Sequence, residues 1–416
     1  MLSIRRTSAI AILFALSALL ALTPAVYGSE QAGIVVRIET PQPRVLLGEP
    51  VTITVSLANE GDEPIVVSPI MVLEASFVKL WVRDPGGDLR QYEPCAHATV
   101  VCMPVLLYPG QSVAETYTLL WNWDGRHAFP TAGRYELSAT FDHDTRTLRS
   151  GGITIEVLEP QGLDAEAFPL VFADDSAQFL QLQSYQYQEG IANLRKLLSD
   201  YPNCTYAPYV TYALAHRASR EGLFSEGPGT IERIPPTYDE AIAGFERIVR
   251  ERPDSAVADD AQFDLAGTYF DMEQRDRARQ ALVLFFDHFA PTSQHLAQAV
   301  YLSEELEWEE EYTGPGSFDT EWVAVDDIAL PPRARMIPLA GPGTVLFTYG
   351  ETVVEVRAGR NTANLGAHRV PLTHRPRLDG GRLLVPASFA RLLPRLLERG
   401  NEVYPIRTDQ VSRPIE

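Results

Sequence analysis

The chain lacks every short motif that marks a common catalytic centre. It has no nucleophile elbow, no metalloprotease helix motif, no phosphate-cradling glycine loop and no dinucleotide fingerprint. Nothing in it supports an enzyme, and no cofactor or metal centre is expected. Positive charge is also short: 35 Lys and Arg stand against 55 Asp and Glu, a net charge of −20. That balance argues against nucleic acid as a partner, because phosphates would be repelled. Lysine is almost missing, at Lys79 and Lys196 alone, which we read as coding bias. Beyond Leu22 no stretch is long and apolar enough to cross a membrane. No cysteine follows that first apolar run, which excludes a bacterial lipid anchor on such a residue.

Residues 1–28 read as a secretory signal peptide. Arg5 and Arg6 supply the positive start, Ala9 to Leu22 is the apolar run, and Val26-Tyr27-Gly28 precede a cut ahead of Ser29. The rival is an uncleaved anchor, but the run is short for a span and Pro24 interrupts its end. The mature protein is therefore expected to be soluble and extracytoplasmic (periplasmic, at the cell surface or secreted), with no stable membrane span after cleavage. In an oxidising compartment Cys95 and Cys102 are a candidate disulfide. His97 lies between them, so a zinc or copper site is the alternative reading. Cys204 is expected as a packed core thiol.

From Gly33 to Glu159 apolar positions recur every second residue, as in Ile34-Val35-Val36-Arg37-Ile38 and Val51-Thr52-Ile53-Thr54-Val55. Turn clusters separate the runs at Asn59-Glu60-Gly61-Asp62, Asp84-Pro85-Gly86-Gly87, Pro109-Gly110 and Thr131-Ala132-Gly133. Short strands at such intervals predict a β-sandwich over residues 30–158. Leu107-Tyr108-Pro109-Gly110-Gln111-Ser112 and Pro130-Thr131-Ala132-Gly133-Arg134-Tyr135 resemble strand starts of bacterial immunoglobulin-like domains. With Trp121-Asn122-Trp123-Asp124-Gly125 they are also similar to the BsuPI-type domain associated with proteinase inhibition. That resemblance implies an alternative function, a proteinase-inhibitor-like binding protein. Asp142-His143-Asp144 reads as a solvated turn.

After Glu159-Pro160-Gln161-Gly162 the period becomes helical. Gly190, Leu194, Leu197 and Pro202 are matched by Ala241, Phe245, Ile248 and Pro253, then by Ala278, Leu282 and Phe285, with the proline one place late at Pro291. A small residue followed by large apolar ones makes one helical face, and the proline stops the helix. Each proline is followed by another helix. The second interval is 37 residues and the first 51, the excess falling at Gly222 to Pro236, which reads as a loop inserted between two helices. Leu265, Ala266, Tyr269, Ala278, Leu282 and Phe285 fall at spacings that resemble a tetratricopeptide repeat. The resemblance covers residues 160–312 and implies binding of a protein or peptide on a concave face made by the first helix of each pair. Tyr209, Tyr212, His216, Asp260, Phe263, Phe270, Gln298 and Tyr301 are the candidate partner-binding residues on that face.

Residues 313–335 read as a linker, opened by Gly314-Pro315-Gly316-Ser317. Beyond it strands return. Asp379-Gly380-Gly381-Arg382-Leu383-Leu384-Val385-Pro386-Ala387-Ser388-Phe389, followed by a helix to Leu397 and a strand Asn401–Ile406, resembles the copper amine oxidase N-terminal-like, or stalk, domain. The match implies a small α+β module over residues 336–416 used in extracytoplasmic attachment or assembly. It does not imply oxidase chemistry, since no Asn-Tyr pair exists from which the quinone could form. His368 and His374 read as solvent-exposed. Residues 331–416 hold thirteen arginines against seven carboxylates, so an anionic cell-envelope polymer, or the chain's own acidic repeats, is a candidate partner there. The expectation is thus a multidomain chain: a β-sandwich, an α-α helical repeat array and a small α+β module. It would act as an exported, non-enzymatic scaffold or adaptor.

Overall fold

The computed structural model describes residues 33–67, 71, 73, 77–95, 105–143, 146–227, 230–306, 321–339, 343–366 and 368–399. The chain is mixed α and β and multidomain. The expected signal segment, Cys102, His97 and the strand at 401–406 lie outside the described residues.

The first unit is built from β1 (Ile34–Glu39), β2 (Arg44–Leu46), β3 (Val51–Asn59), β4 (Ile65–Val67), β5 (Val78–Arg83), β6 (Leu89–Tyr92), β7 (Val105–Leu107), β8 (Ser112–Leu119), β9 (Gly133–His143), β10 (Arg146–Arg149) and β11 (Ile153–Leu158). One sheet runs β1-β3-β8 and the other β2-β11-β9-β5-β6, with β10 on β9 and a separate β4-β7 pair. Period two decides which face is inside. Val51, Ile53, Val55 and Leu57 are fully buried, and the strand pairs Val51 with Leu119 and Ile53 with Tyr117. Tyr135, Leu137, Ala139 and Phe141 of β9 complete the same core from the other sheet. The Tyr135 hydroxyl donates back to the Thr131 carbonyl at 2.8 Å.

Eight helices follow: α1 (Leu163–Val171), α2 (Asp174–Leu182), α3 (Gln188–Asp200), α4 (Ala207–Ala218), α5 (Tyr238–Glu251), α6 (Ala258–Asp271), α7 (Arg275–His288) and α8 (Leu296–Glu305). The repeated positions are their buried seams. Leu194, Leu197, Ala241, Phe245, Ala278, Leu282 and Phe285 are all at 0% exposure. Small residues let the backbones close: a Cβ on Gly190 would lie 2.2 Å from the Asp175 carbonyl oxygen of α2. The segment between α4 and α5, expected as a loop, is a β-hairpin of β12 (Gly222–Gly227) and β13 (Thr230–Ile234).

The last unit holds β14 (Trp322–Ala324), β15 (Arg335–Pro338), β16 (Thr344–Tyr349), β17 (Thr352–Arg357), β18 (Thr362–Leu365), β19 (His368–Pro371), β20 (Arg377–Asp379), β21 (Arg382–Pro386) and α9 (Ala387–Arg399). A meander β15-β16-β17-β18-β19 lies beside a second sheet β14-β21-β20. Residues 322–324, expected as linker, are therefore sheet: Val323 pairs with Val385. Leu392, Leu393, Leu396 and Leu397 of α9 join the buried face of the meander, Val345, Phe347, Val354 and Val356, and that core is continuous with the one of α4 to α8.

The helices are held at both ends. Tyr206 donates its hydroxyl to the Leu47 carbonyl of the β unit at 2.8 Å. At the far end Ser303 of α8 donates to the Arg369 carbonyl at 2.9 Å, His368 meets Glu304 at 2.6 Å, and Arg395 of α9 donates to the Ala290 carbonyl at 3.2 Å. The two outer units also touch each other. Gln111 donates to Thr352 at 3.1 Å in a buried contact, and Arg333 pairs with Asp62 at 3.0 Å. Gly110, at φ +88, leaves no room for a side chain: a Cβ there would lie 1.8 Å from the Tyr349 hydroxyl.

Candidate functional site

Helices α4 and α6 present neighbouring faces, and the turn before α8 closes over them. The i, i+4 pair Tyr212 and His216 projects from α4, and Asp260 and Asp264 project with the same spacing from α6. Tyr212 donates its hydroxyl to Asp264 Oδ2 at 2.9 Å. His216 Nε2 lies 3.8 Å from the same oxygen, and an Arg220 Nη lies 3.8 Å from Asp264 Oδ1. Beside them His295 Nε2 is 2.8 Å from Asp260 Oδ1, which also accepts from Gln294 at 3.0 Å. Phe263 stacks on the His295 ring at 4.5 Å between centroids.

The cluster is short of compensation. The Asp264 side chain is 10% exposed, and burial pushes its carboxyl up to about 6 although Arg220 and His295 pull it down. Burial likewise raises Asp259, with Asp260 next to it acting in the same direction. Burial, aided by Arg220 and Arg217, holds His216 down at about 3, so its ring is neutral near neutral pH. Burial also lowers His295, but the Asp260 hydrogen bond and the charges of Asp264 and Asp259 outweigh it and leave the pKa raised. The Nδ1 atoms of both His216 and His295 are buried with no hydrogen-bond partner among the described residues. Three carboxylates on one helix, one histidine favoured as imidazolium and one half-exposed arginine make a face that would gain from a further cation. Among the described contacts no hydroxyl or thiol is hydrogen-bonded to the ring of either histidine; the Ser293 hydroxyl instead accepts from the His295 backbone N–H at 3.1 Å. No group of three or more metal-ligating side chains is present among the described residues.

The eight expected face residues separate. Tyr212, His216, Asp260 and Phe263 come together as above. Gln298 and Tyr301 are exposed on α8, and Phe270 is half-buried against the helical core. Tyr209 does not belong to an open face. It is 9% exposed, donating to Glu49 at 2.7 Å and accepting from Gln42 at 2.8 Å, because the β unit covers that end of α4. Four contributors lie outside the eight expected residues: Asp259, Asp264, Arg220 and His295. The matched spacing of Tyr212-His216 and Asp260-Asp264 on successive first helices was the available signal for Asp264; nothing local marks His295.

Elsewhere, the Cys95 thiol lies 3.3 Å from the Trp121 carbonyl, and burial pushes it up to about 11. Its expected partner Cys102 is outside the described residues. Cys204 is buried at 2% exposure. Trp121 is buried and Trp123 is 61% exposed. No helix among the described residues is long and apolar enough to cross a membrane.

No family model matches the chain, and no curated protein does. Solved structures give partial likenesses. The CARDB domain of a Pyrococcus furiosus protein, solved in complex with di-metal ions, is 14% identical over 31% of this chain and 90% of its own, with a TM-score of 0.18. The sporulation control protein Spo0M of Bacillus subtilis is 12% identical over 34% of this chain and 55% of its own, with a TM-score of 0.20. A β-glucosidase from Listeria innocua is 12% identical over 31% of this chain and 17% of its own, with a TM-score of 0.18. Likenesses this slight carry no argument about what the chain does.

Proposed function

We propose that this chain is an exported, non-enzymatic scaffold that holds a protein partner on its helical repeats, at the α4–α6–α8 face. The observation that carries the reading is the buried, undercompensated Asp264 beside Asp260 and His295. A carboxylate kept out of water gains from a cation that completes its shell, so an arginine or lysine of the partner is the recognising group. Arg220, exposed and 3.8 Å from Asp264, gives this buried centre a polar edge. The tetratricopeptide-like reading of the helix pairs is supported by the buried small residues Ala266 and Ala278 at 0% exposure. The immunoglobulin-like reading of the β unit is supported by the Tyr135 hydroxyl bonded back to Thr131. In this reading the two outer units orient the array and the signal segment exports it.

The test compares residues 29–416 with the Asp260→Asn, Asp264→Asn double variant, each immobilised and exposed to a cell-envelope extract. A protein retained by the parent and depleted at least tenfold on the variant, with fold checked by circular dichroism, supports the proposal. Equal retention on both, or none on the parent, overturns it.

A further inference from the structure

The face of the β15–β19 meander away from α9 carries a different chemistry from the helices. A cleft of about 190 Å³ opens there, lined by Glu355, Arg357, Arg360, Thr362, Asn364 and Arg369, with Asn361 at its floor. Sheet register builds it. Glu355 of β17 pairs with Asn364 of β18, which pairs with Arg369 of β19, so the three side chains form a row across the strands. Period two sends their neighbours Val354, Val356, Leu365 and Val370 to the buried side. Arg357 and Arg369 are exposed, and neither has an ion-pair partner among the described residues. Glu355 accepts from the Asn364 amide at 3.2 Å.

We propose that this cleft binds a carboxylate-bearing sugar unit of an acidic polysaccharide. Guanidinium groups pair with a carboxylate through two parallel N–H donors. Asn364 and Thr362 supply the amide and hydroxyl that match ring hydroxyls, and Glu355 can only accept, which suits a sugar hydroxyl. The same Glu355 is a like charge to either anion, and it weighs more against a polyphosphate, which has denser charge and no ring hydroxyls to donate. No aromatic ring lines the cleft, so it has no platform for stacking nucleobases. The volume falls below the roughly 300–1,000 Å³ of drug-sized ligand sites, which fits one small unit of a polymer passing over an open cleft. Charge adds long-range selection. Residues 331–416 hold thirteen arginines against seven carboxylates in a chain of net −20, so an acidic polymer is repelled elsewhere and drawn to this unit. The site is remote from Asp264 in sequence and independent of the array reading.

Calorimetric titration of residues 29–416 with a galacturonic acid hexamer at low salt tests it. The probe is expected to bind, and Arg357→Ala with Arg369→Ala is expected to weaken it at least tenfold, with the circular dichroism spectrum unchanged because both side chains are exposed. Glu355→Gln is expected to improve binding of linear polyphosphate more than binding of the hexamer, because it removes a like charge from both but takes a hydroxyl acceptor only from the hexamer. Equal affinity for a neutral galactose hexamer, equal or tighter affinity of the parent for polyphosphate, insensitivity to the arginine substitutions, or no binding at millimolar probe each overturns the proposal.

Discussion

Asp264→Asn is the perturbation that tests the electrostatics of the helical face most directly. In the folded protein Asp264 titrates near 6, against an ordinary 3.8, because burial outweighs the pull of Arg220. Between those two values the native state keeps a proton that the unfolded chain has released. Stability therefore falls as the pH rises through that window. Two pKa units correspond to about 3 kcal/mol, absent below about pH 4 and fully present above about pH 6. Asparagine keeps an oxygen to accept from Tyr212 and cannot ionise. The difference in unfolding free energy between variant and parent should be flat below pH 4, move by about 3 kcal/mol in the variant's favour by pH 6, and stay level above. Urea unfolding followed by circular dichroism from pH 3.5 to 8 measures it. His216, held near 3, has the opposite sign. Its unfolded form takes up a proton below about 6.5 while the folded form does not, so it costs stability as the pH falls. His216 lies 3.8 Å from Asp264 and His295 is raised partly by its charge, so both respond to the substitution, and the Asp264 step is read between pH 4 and pH 6. A difference that does not change with pH, or a variant less stable than the parent at pH 7.5, refutes the account of Asp264 as an undercompensated buried carboxylate.

Tyr209→Phe removes the donor to Glu49, a carboxyl already raised by burial; thermal melting should show a loss of about 1–3 kcal/mol, with partner retention unchanged, since Tyr209 lies against the β unit. Phe285→Ala empties a fully buried site in the repeat seam and should cost about 3–5 kcal/mol in urea unfolding; a loss below 1 kcal/mol would deny it a core role. Gly110→Ala places a methyl 1.8 Å from the Tyr349 hydroxyl in a left-handed backbone conformation. Faster hydrogen exchange at Gly110 and Gln111 is expected. Adding Tyr349→Ala should restore part of the protection, and no recovery would mean that the contact does not govern that exchange.

The helical seams were legible because periodicity reports burial directly. Ala241, Phe245 and Ile248 are buried on α5, and Ala278, Leu282 and Phe285 on α7. The two-residue alternation of Val51 to Leu57 located β3 for the same reason. The hairpin β12–β13 was readable in principle: Leu223 to Glu226 and Thr230 to Ile234 flank the Gly-Pro-Gly at 227–229, a strand–turn–strand signal masked by composition. β14 was not readable, since three residues carry no period and its partner β21 lies some sixty residues on. The site was half legible. Tyr212, His216, Asp260 and Phe263 follow from helical phase. His295 enters through a turn that only tertiary packing brings over α6, and Tyr209 was misplaced because the covering β unit is distant in sequence.

The contact of Gln111 with Thr352 spans 241 residues. Closing a loop that long costs chain entropy before any reward arrives. The helices can form from local contacts, each pair stabilising the next. The junction at Gly110 and Tyr349 is therefore expected to form late in folding, which pulsed hydrogen exchange at Gln111 would check. A helix pair out of place by a few ångströms leaves Gln111 without its partner, so that one buried amide acts as a check on the correct assembly of the whole chain.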